Sequence, residues 1–312
     1  MESLHNDPVL KFHPDTLKVV RQEFNLDKSG EMDRAIDILE LWLKKQDHFT
    51  KKDFHRDYLE RAIIKAKGSV ERTKERLDKL FTARVLLHDL FVVRDISKFK
   101  ELDENVTDGI LPKLTSDHCR VYILQNYAQT FSAELFNQFY TRAFYYMEYF
   151  SRYDYAKAGI AIFDYRNLNV FEFLKHLDLI QVGHLINVAL NGYGIRVKEI
   201  HIISSSKFIT LLVTTFKQML SEKLGKRIHV HSDTDTLHQY VDKDVLPEDC
   251  GGTEKSMKEI HNEWVEVLSA DSFMEYLKET YEAKIDENLR PVTKLNDEYL
   301  GIAGTFRTLN VD

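Results

Sequence analysis

Residues 197–252 constrain the fold more than any other stretch of the chain. Val197 to Ile203 (VKEIHII) is short, apolar and β-branched, as a buried strand is. Ser204, Ser205 and Ser206 break it with a polar turn. An amphipathic segment follows. In it Phe208, Leu211, Leu212, Thr215, Phe216 and Met219 recur at helical spacing, while Lys207, Thr210, Thr214, Lys217 and Ser221 take the opposite face. A second strand, Arg227 to Val230, completes a strand–helix–strand unit. Such a crossover joins parallel strands and lays a helix on one face, so the chain belongs to the α/β class with a mostly parallel sheet.

The unit is also electrically distinct. Between Lys207 and His231 stand five basic residues (Lys207, Lys217, Lys223, Lys226, Arg227) and one acidic residue, Glu222, in a chain of net charge −7. A basic amphipathic helix in an acidic protein points to an anionic surface or headgroup, although an ordinary solvated helix face carries the same pattern. The net charge argues against a general nucleic-acid binder.

The 312 residues suffice for one large domain or two smaller ones. Two cysteines far apart, Cys119 and Cys250, fit a reducing compartment and form no zinc signature. Met1 to Asp15 is polar and charged, and no window approaches eighteen uncharged apolar residues, so neither a targeting signal nor a membrane span is expected.

Residues 1–95 read as a small helical domain, with one apolar stripe at Met32, Ala35, Ile36, Leu39, Trp42 and Leu43 and another at Val70, Leu77, Leu80 and Phe81. The interleaved Lys65, Lys67, Glu71, Arg72, Lys74, Glu75 and Arg76 read as a solvated face. Phe91 to Asp117, with Gly109 and Pro112, reads as a polar connector. Val121 to Leu124 and Gly159 to Asp164 are buried-type strands, and Phe131 to Phe150 is an aromatic helix. Residues 256–284 are helical again, so the expected division is 1–95, 96–255 and 256–312.

No nucleophile, base and orienter assemble into a catalytic set. His229, His231, Asp233 and His238 stop one residue short of a metallohydrolase pattern, because Thr234 stands where the last histidine belongs. No metal or cofactor is expected, and a metallohydrolase is the weakest of the readings considered.

The ordered matches His201-Ile202-Ile203, Phe208, Lys217, Leu220, Glu222-Lys223, Arg227-Ile228, His231, Thr236-Leu237, Leu246-Pro247 and Gly251-Gly252 resemble the CRAL-TRIO lipid-binding family. The strand Gly159 to Asp164 fits the same pattern, and the tail from Asp286 through Gly301, Gly304, Phe306 and Arg307 resembles the family's insect branch. Three departures stand out. Ser204-Ser205-Ser206 replaces Asn-x-Pro, Gln218 replaces the helix proline, and Ile64 replaces an arginine of the N-terminal segment.

The resemblance implies a non-enzymatic binder. A parallel sheet floors a closed apolar cavity, helices wall it, and the amphipathic helix is a lid. Carried over by strand alternation, Ala161, Phe163, Ile200 and Ile202 face the ligand. Tyr140, Phe144, Met147, Leu185, Val188 and Tyr193 supply the walls, and Phe208, Leu212 and Phe216 the lid. Tyr140 and Phe144 stand where a family member has small residues, which implies a cavity either narrower or shaped for a flatter ligand. In a family member a basic cleft beside the lid takes a phosphoinositide headgroup. The matching positions are Arg196, Lys198, Lys217, Lys223 and Arg227. The expected ligand is a small hydrophobic lipid such as a tocol, retinoid, carotenoid or other isoprenoid. It is carried by a cytoplasmic monomer that docks transiently on anionic membranes. A phosphoinositide-reading adaptor with a vestigial cavity is the alternative.

Overall fold

The computed structural model describes Leu4, residues 6–219 and residues 222–290, with the backbone alone at 216, 218 and 219. The expected tail segment from 291 onward lies outside the described residues. Four helices come first, α1 (Thr16–Glu23), α2 (Glu31–Lys44), α3 (Arg56–Lys65) and α4 (Val70–Leu86), then a short α5 (Lys100–Asn105). Next are β1 (Val106–Leu114), β2 (Cys119–Asn126), α6 (Ala133–Tyr153), β3 (Ala158–Asp164), α7 (Val170–His176) and α8 (Leu179–Asn187). A π-turn (Val188–Gly192) leads to β4 (Val197–Ile203), α9 (Lys207–Met219), α10 (Glu222–Gly225) and β5 (Ile228–His231). The last helices are α11 (Met257–Ser269) and α12 (Asp271–Tyr281).

Caps start several helices where serine stands ready. Ser69 accepts from the Arg72 amide (3.3 Å), Ser132 from Leu135 (2.9 Å), and Ser256 with Glu259 forms a reciprocal capping box.

The sheet runs β1-β2-β3-β4-β5, parallel from β2 to β5, with β1 antiparallel at the edge. The crossover at 197–231 is present as expected. The connector is not as expected: residues 106–114 form β1, and seven successive positions of it are buried. Pro112 misled because proline is a strand breaker, yet an edge strand tolerates it where the ladder shifts register, here between Ile110 and Leu114. Gly109 has a packing reason. A Cβ there would lie 2.8 Å from Ile260 and 3.0 Å from Trp264, so only glycine lets α11 rest on β1.

Helix α6 is the strut between the N-terminal helices and the sheet. Its Glu148 accepts from Arg84 of α4 (2.7 Å), both side chains fully buried, while Arg142 meets Asp108 of β1 at 2.9 Å. Arg61 and Lys65 of α3 donate to the carbonyls of Ser151 (3.2 Å) and Phe150 (3.1 Å), closing the last turn of α6. Lys65 is therefore a buried cap and not part of a solvated face. Burial lowers its pKa to about 7.

Candidate functional site

Strand alternation divides the sheet into two unlike faces. Val121, Ile123, Ile160, Ile162, His201 and Ile203 are fully buried on one. On the other, Tyr122, Ala161, Phe163, Ile200 and Ile202 are half-buried and in register, Tyr122 beside Ala161 beside Ile200, and Phe163 beside Ile202. The four strand positions expected at the floor share this second face.

An aromatic series climbs from the floor. Phe163 meets Tyr165 (6.1 Å between ring centres), Tyr165 meets Phe173 of α7 (5.9 Å), Phe173 meets Phe136 of α6 (6.4 Å), and Phe136 stacks on Tyr140 (6.2 Å). Sequence reasoning passed over Tyr165 and Phe173, because each becomes a wall residue only when α7 folds back toward α6. Burial alone pushes the Tyr165 hydroxyl's pKa well up, as an apolar surrounding does. Helix α8, with the apolar sequence LIQVGHLIN, has no fully buried residue, and Leu185 is half-buried on it.

Three expected wall residues lie elsewhere. Phe144, Val188 and Tyr193 sit in the main core where α6 and the π-turn meet. Phe144 packs 4.8 Å from Phe91, and the Tyr193 hydroxyl donates to buried Glu148 (2.6 Å). Glu148 and Arg84 draw the tyrosine inward, so it serves an ion-pair network. Met147 packs half-buried against that same core.

The lid helix is turned about one residue from the expected phase. Among its described side chains Ile209 and Val213 are the buried ones, packed with Ile228 and flanked by Leu212, Ile200 and Ile202. Phe208 and Leu211 point outward, 62% and 64% exposed. Phe208 therefore does not line the floor side. Apolar residues at 208, 209, 211, 212 and 213 offer two apolar faces, and packing against Ile228, Ile200 and Ile202 selects between them. The side chain of Phe216 lies outside the described residues. Phe171 of α7 and Leu179 and Ile180 of α8 are exposed as well. Among the described residues no helix is long and apolar enough to cross a membrane.

A second feature opens at the other end of the strands. A cleft of about 420 Å³ is lined by nine cations, Lys67, Arg72, Arg76, Lys79, Lys157, Arg196, Lys198, Lys223 and Arg227, against Glu75 and Asp117. Arg196, Lys198, Lys223 and Arg227 were expected together. Lys217 lies beside Gly225 instead, where α9 meets α10. The contribution of α4 was missed. Arg72, Arg76 and Lys79 stand at i, i+4 and i+7, one helix face, a spacing legible in the sequence, where Arg72 and Arg76 read as solvated and Lys79 was passed over. Burial lowers the pKa of Arg76, and the charges of Arg72 and Arg196 lower it further, the mark of crowded positive charge. Acids hold the rim: Lys198 pairs with Asp117 (2.9 Å), and Lys157 (2.9 Å) and Arg196 (3.3 Å) pair with Glu23.

The histidines of β4 and β5 engage one another. His201 Nδ1 and His231 Nε2 share a hydrogen bond (3.0 Å), His231 Nδ1 meets the Thr236 hydroxyl (2.7 Å), and Tyr240 packs on His201 and His229. Among the described residues no group of three His, Cys, Asp or Glu is placed to hold a metal. Asp164 closes its own turn, accepting from the Arg166 amide (3.1 Å) and guanidinium.

Residues 109–252 match the CRAL/TRIO domain family. A 97-residue stretch is 29% identical to an alpha-tocopherol transfer protein-like protein of Mus musculus, over 30% of this chain and 28% of that relative. The Homo sapiens protein of the same description is 26% identical over 118 residues, 37% of this chain and 34% of the relative. The chain thus spans about a third or less of the curated relatives it matches. The crystal structure of Sfh5 aligns with a TM-score of 0.49 at 13% identity, over 87% of this chain and 98% of that one.

Proposed function

We propose that this chain, which carries a CRAL/TRIO domain over residues 109–252, binds a small hydrophobic lipid without catalysis and transfers it between membranes. The observation that carries the reading is the pairing of a half-buried apolar floor with a basic cleft on one sheet. Ala161, Phe163, Ile200 and Ile202 form the floor, Phe136, Tyr140, Tyr165, Phe173 and Leu185 the walls, and Leu212 belongs to a lid seated by Ile209 and Val213. Burying about 500 Å² of an isoprenoid or acyl chain yields roughly 12 kcal/mol gross, from which ordering and association subtract much. The likeness to alpha-tocopherol transfer protein-like relatives supports a cargo of this kind.

The cleft supports a membrane signal. Arg196, Lys198, Lys223 and Arg227, with Arg72, Arg76 and Lys79, offer a phosphoinositide headgroup concentrated positive charge from both the N-terminal helices and the base of the lid. The lid follows closely in the chain, because α9 passes through α10 into β5. Headgroup binding then biases the lid toward opening and cargo exchanges. The protein acts as a cytoplasmic monomer, at membranes only transiently.

Each basic residue near an anionic surface contributes about 1 kcal/mol, so reversing exposed Lys223 to Glu costs about 2 kcal/mol, roughly 30-fold. The test is transfer of a fluorescent lipid from neutral donor vesicles to acceptors with and without phosphoinositide. Lys223→Glu slows delivery to the anionic acceptors and spares cargo affinity; equal rates on both acceptors sink the lid mechanism. Organic extraction and mass spectrometry of the native protein names the cargo. An empty extract with headgroup binding intact leaves the adaptor reading.

A further inference from the structure

The apolar compartment carries three polar atoms that no described residue satisfies. Tyr140 is 4% exposed, yet its buried hydroxyl has no hydrogen-bond partner. Buried tyrosine hydroxyls ordinarily find one, because an unpaired group keeps its full desolvation cost. Gln181 Oε1 and His184 Nδ1 are likewise buried without partners. These two residues stand at i and i+3 on α8 and so share a face. Asp178 is the N-cap of α8. Its carboxylate accepts from the backbone N–H of Gln181 (3.3 Å), and its charge acts on both the Tyr140 hydroxyl and the His184 ring. Burial and this anion hold the phenol protonated, with its pKa pushed up to about 12, and burial holds the His184 pKa below its ordinary value. Tyr140 also ends the aromatic series that rises from Phe163, and Leu185 follows His184 directly.

The donor and acceptor pattern is selective. Tyr140 donates or accepts, the Gln181 oxygen only accepts, and His184 Nδ1 takes either role according to its tautomer. A hydroxyl donates to Gln181 or His184 and accepts from Tyr140 at once. A carbonyl or ester only accepts and leaves Gln181 unpaired. A phosphate meets no cation among the three, and Asp178 repels it.

We infer that Tyr140, Gln181 and His184 anchor the polar end of the cargo, and that the cargo is a lipid alcohol or phenol. This rests on the carrier reading above. The test uses the full chain and four probes: a pyrene-labelled hydrocarbon, and geranylgeraniol, geranylgeranial and geranylgeranyl methyl ether competing against it. The alcohol is expected to bind about tenfold tighter than the aldehyde or the ether, the effect of one well-made hydrogen bond. Gln181→Leu removes that advantage and leaves the ether unchanged, whereas Tyr140→Phe weakens all three competitors alike, because each oxygen accepts from the phenol. Tyr140→Phe melts no lower than the natural protein, because it deletes a hydroxyl that bonds to nothing among the described residues. Equal affinity for the three competitors, an alcohol preference that survives Gln181→Leu, or binding untouched by Tyr140→Phe overturns the anchor while the carrier reading stands. Failure of the hydrocarbon probe and all three competitors to bind overturns both.

Discussion

Phe208 and Leu211 offer the sharpest separation between the expected lid and the observed one. If Phe208 faced the cargo, trimming it would weaken cargo binding. The structure turns it and Leu211 outward, 62% and 64% exposed. Fully burying a Phe or Leu side chain is worth about 1.5–3 kcal/mol. Immersing the exposed fraction of both in the acyl boundary therefore contributes about 2–4 kcal/mol. Phe208→Ala with Leu211→Ala loses most of this, lowering partition into vesicles by roughly 30- to 200-fold. The fold should not notice, because exposed substitutions shift stability by about 0.5 kcal/mol or less. Sedimentation with mixed anionic vesicles reads partition, and competition with a lipid probe reads cargo affinity. Unchanged partition with weakened cargo binding refutes the reasoning and restores the inward-facing phase of the helix.

Three further outcomes follow from the buried polar groups. Glu148→Ala strands the Arg84 guanidinium and removes the acceptor of Tyr193, so it costs about 3–5 kcal/mol, a melting shift of about 5–8 °C for a chain this long; calorimetry showing a loss below 2 °C contradicts the network. His201 has its pKa lowered to about 3 by burial, then by His231 and His229. The unfolded chain takes up a proton near pH 6.5 that the fold refuses, so stability falls as pH drops from about 6.5 toward 3. Melting curves of His201→Asn should lose that part of the acid slope, and identical slopes would count against it. Burial raises the Cys119 and Cys250 thiols to about 11 and about 12. At pH 8 alkylation of the native protein should run at least a hundredfold slower than in denaturant, and fast native labelling of either contradicts its burial.

Much of the architecture was legible because its signals are local. Val197 to Ile203 and Gly159 to Asp164 read as strands from apolar runs between turns, and both appear at almost those bounds. The edge strand β1 was not legible, since Gly109 and Pro112 mimic a connector, and their reasons lie in Trp264 and in the sheet edge. The cations of β4 and of the lid base were legible from their spacing, and their meeting with Arg72, Arg76 and Lys79 was not. That meeting requires α4 to stand beside strands more than a hundred residues later.

Composition and periodicity by themselves determined an α/β chain with a crossover at 197–231 and an aromatic helix at its centre, because hydrophobic period reports secondary structure without reference to neighbours. The choice between facing surfaces belonged to tertiary structure. Which side of α9 turns inward, whether Tyr193 meets a ligand or Glu148, and which cations share one cleft depend on how elements distant in sequence pack. Burial settles each, because a residue's surroundings, and not its own pattern, set the free energy of hiding it.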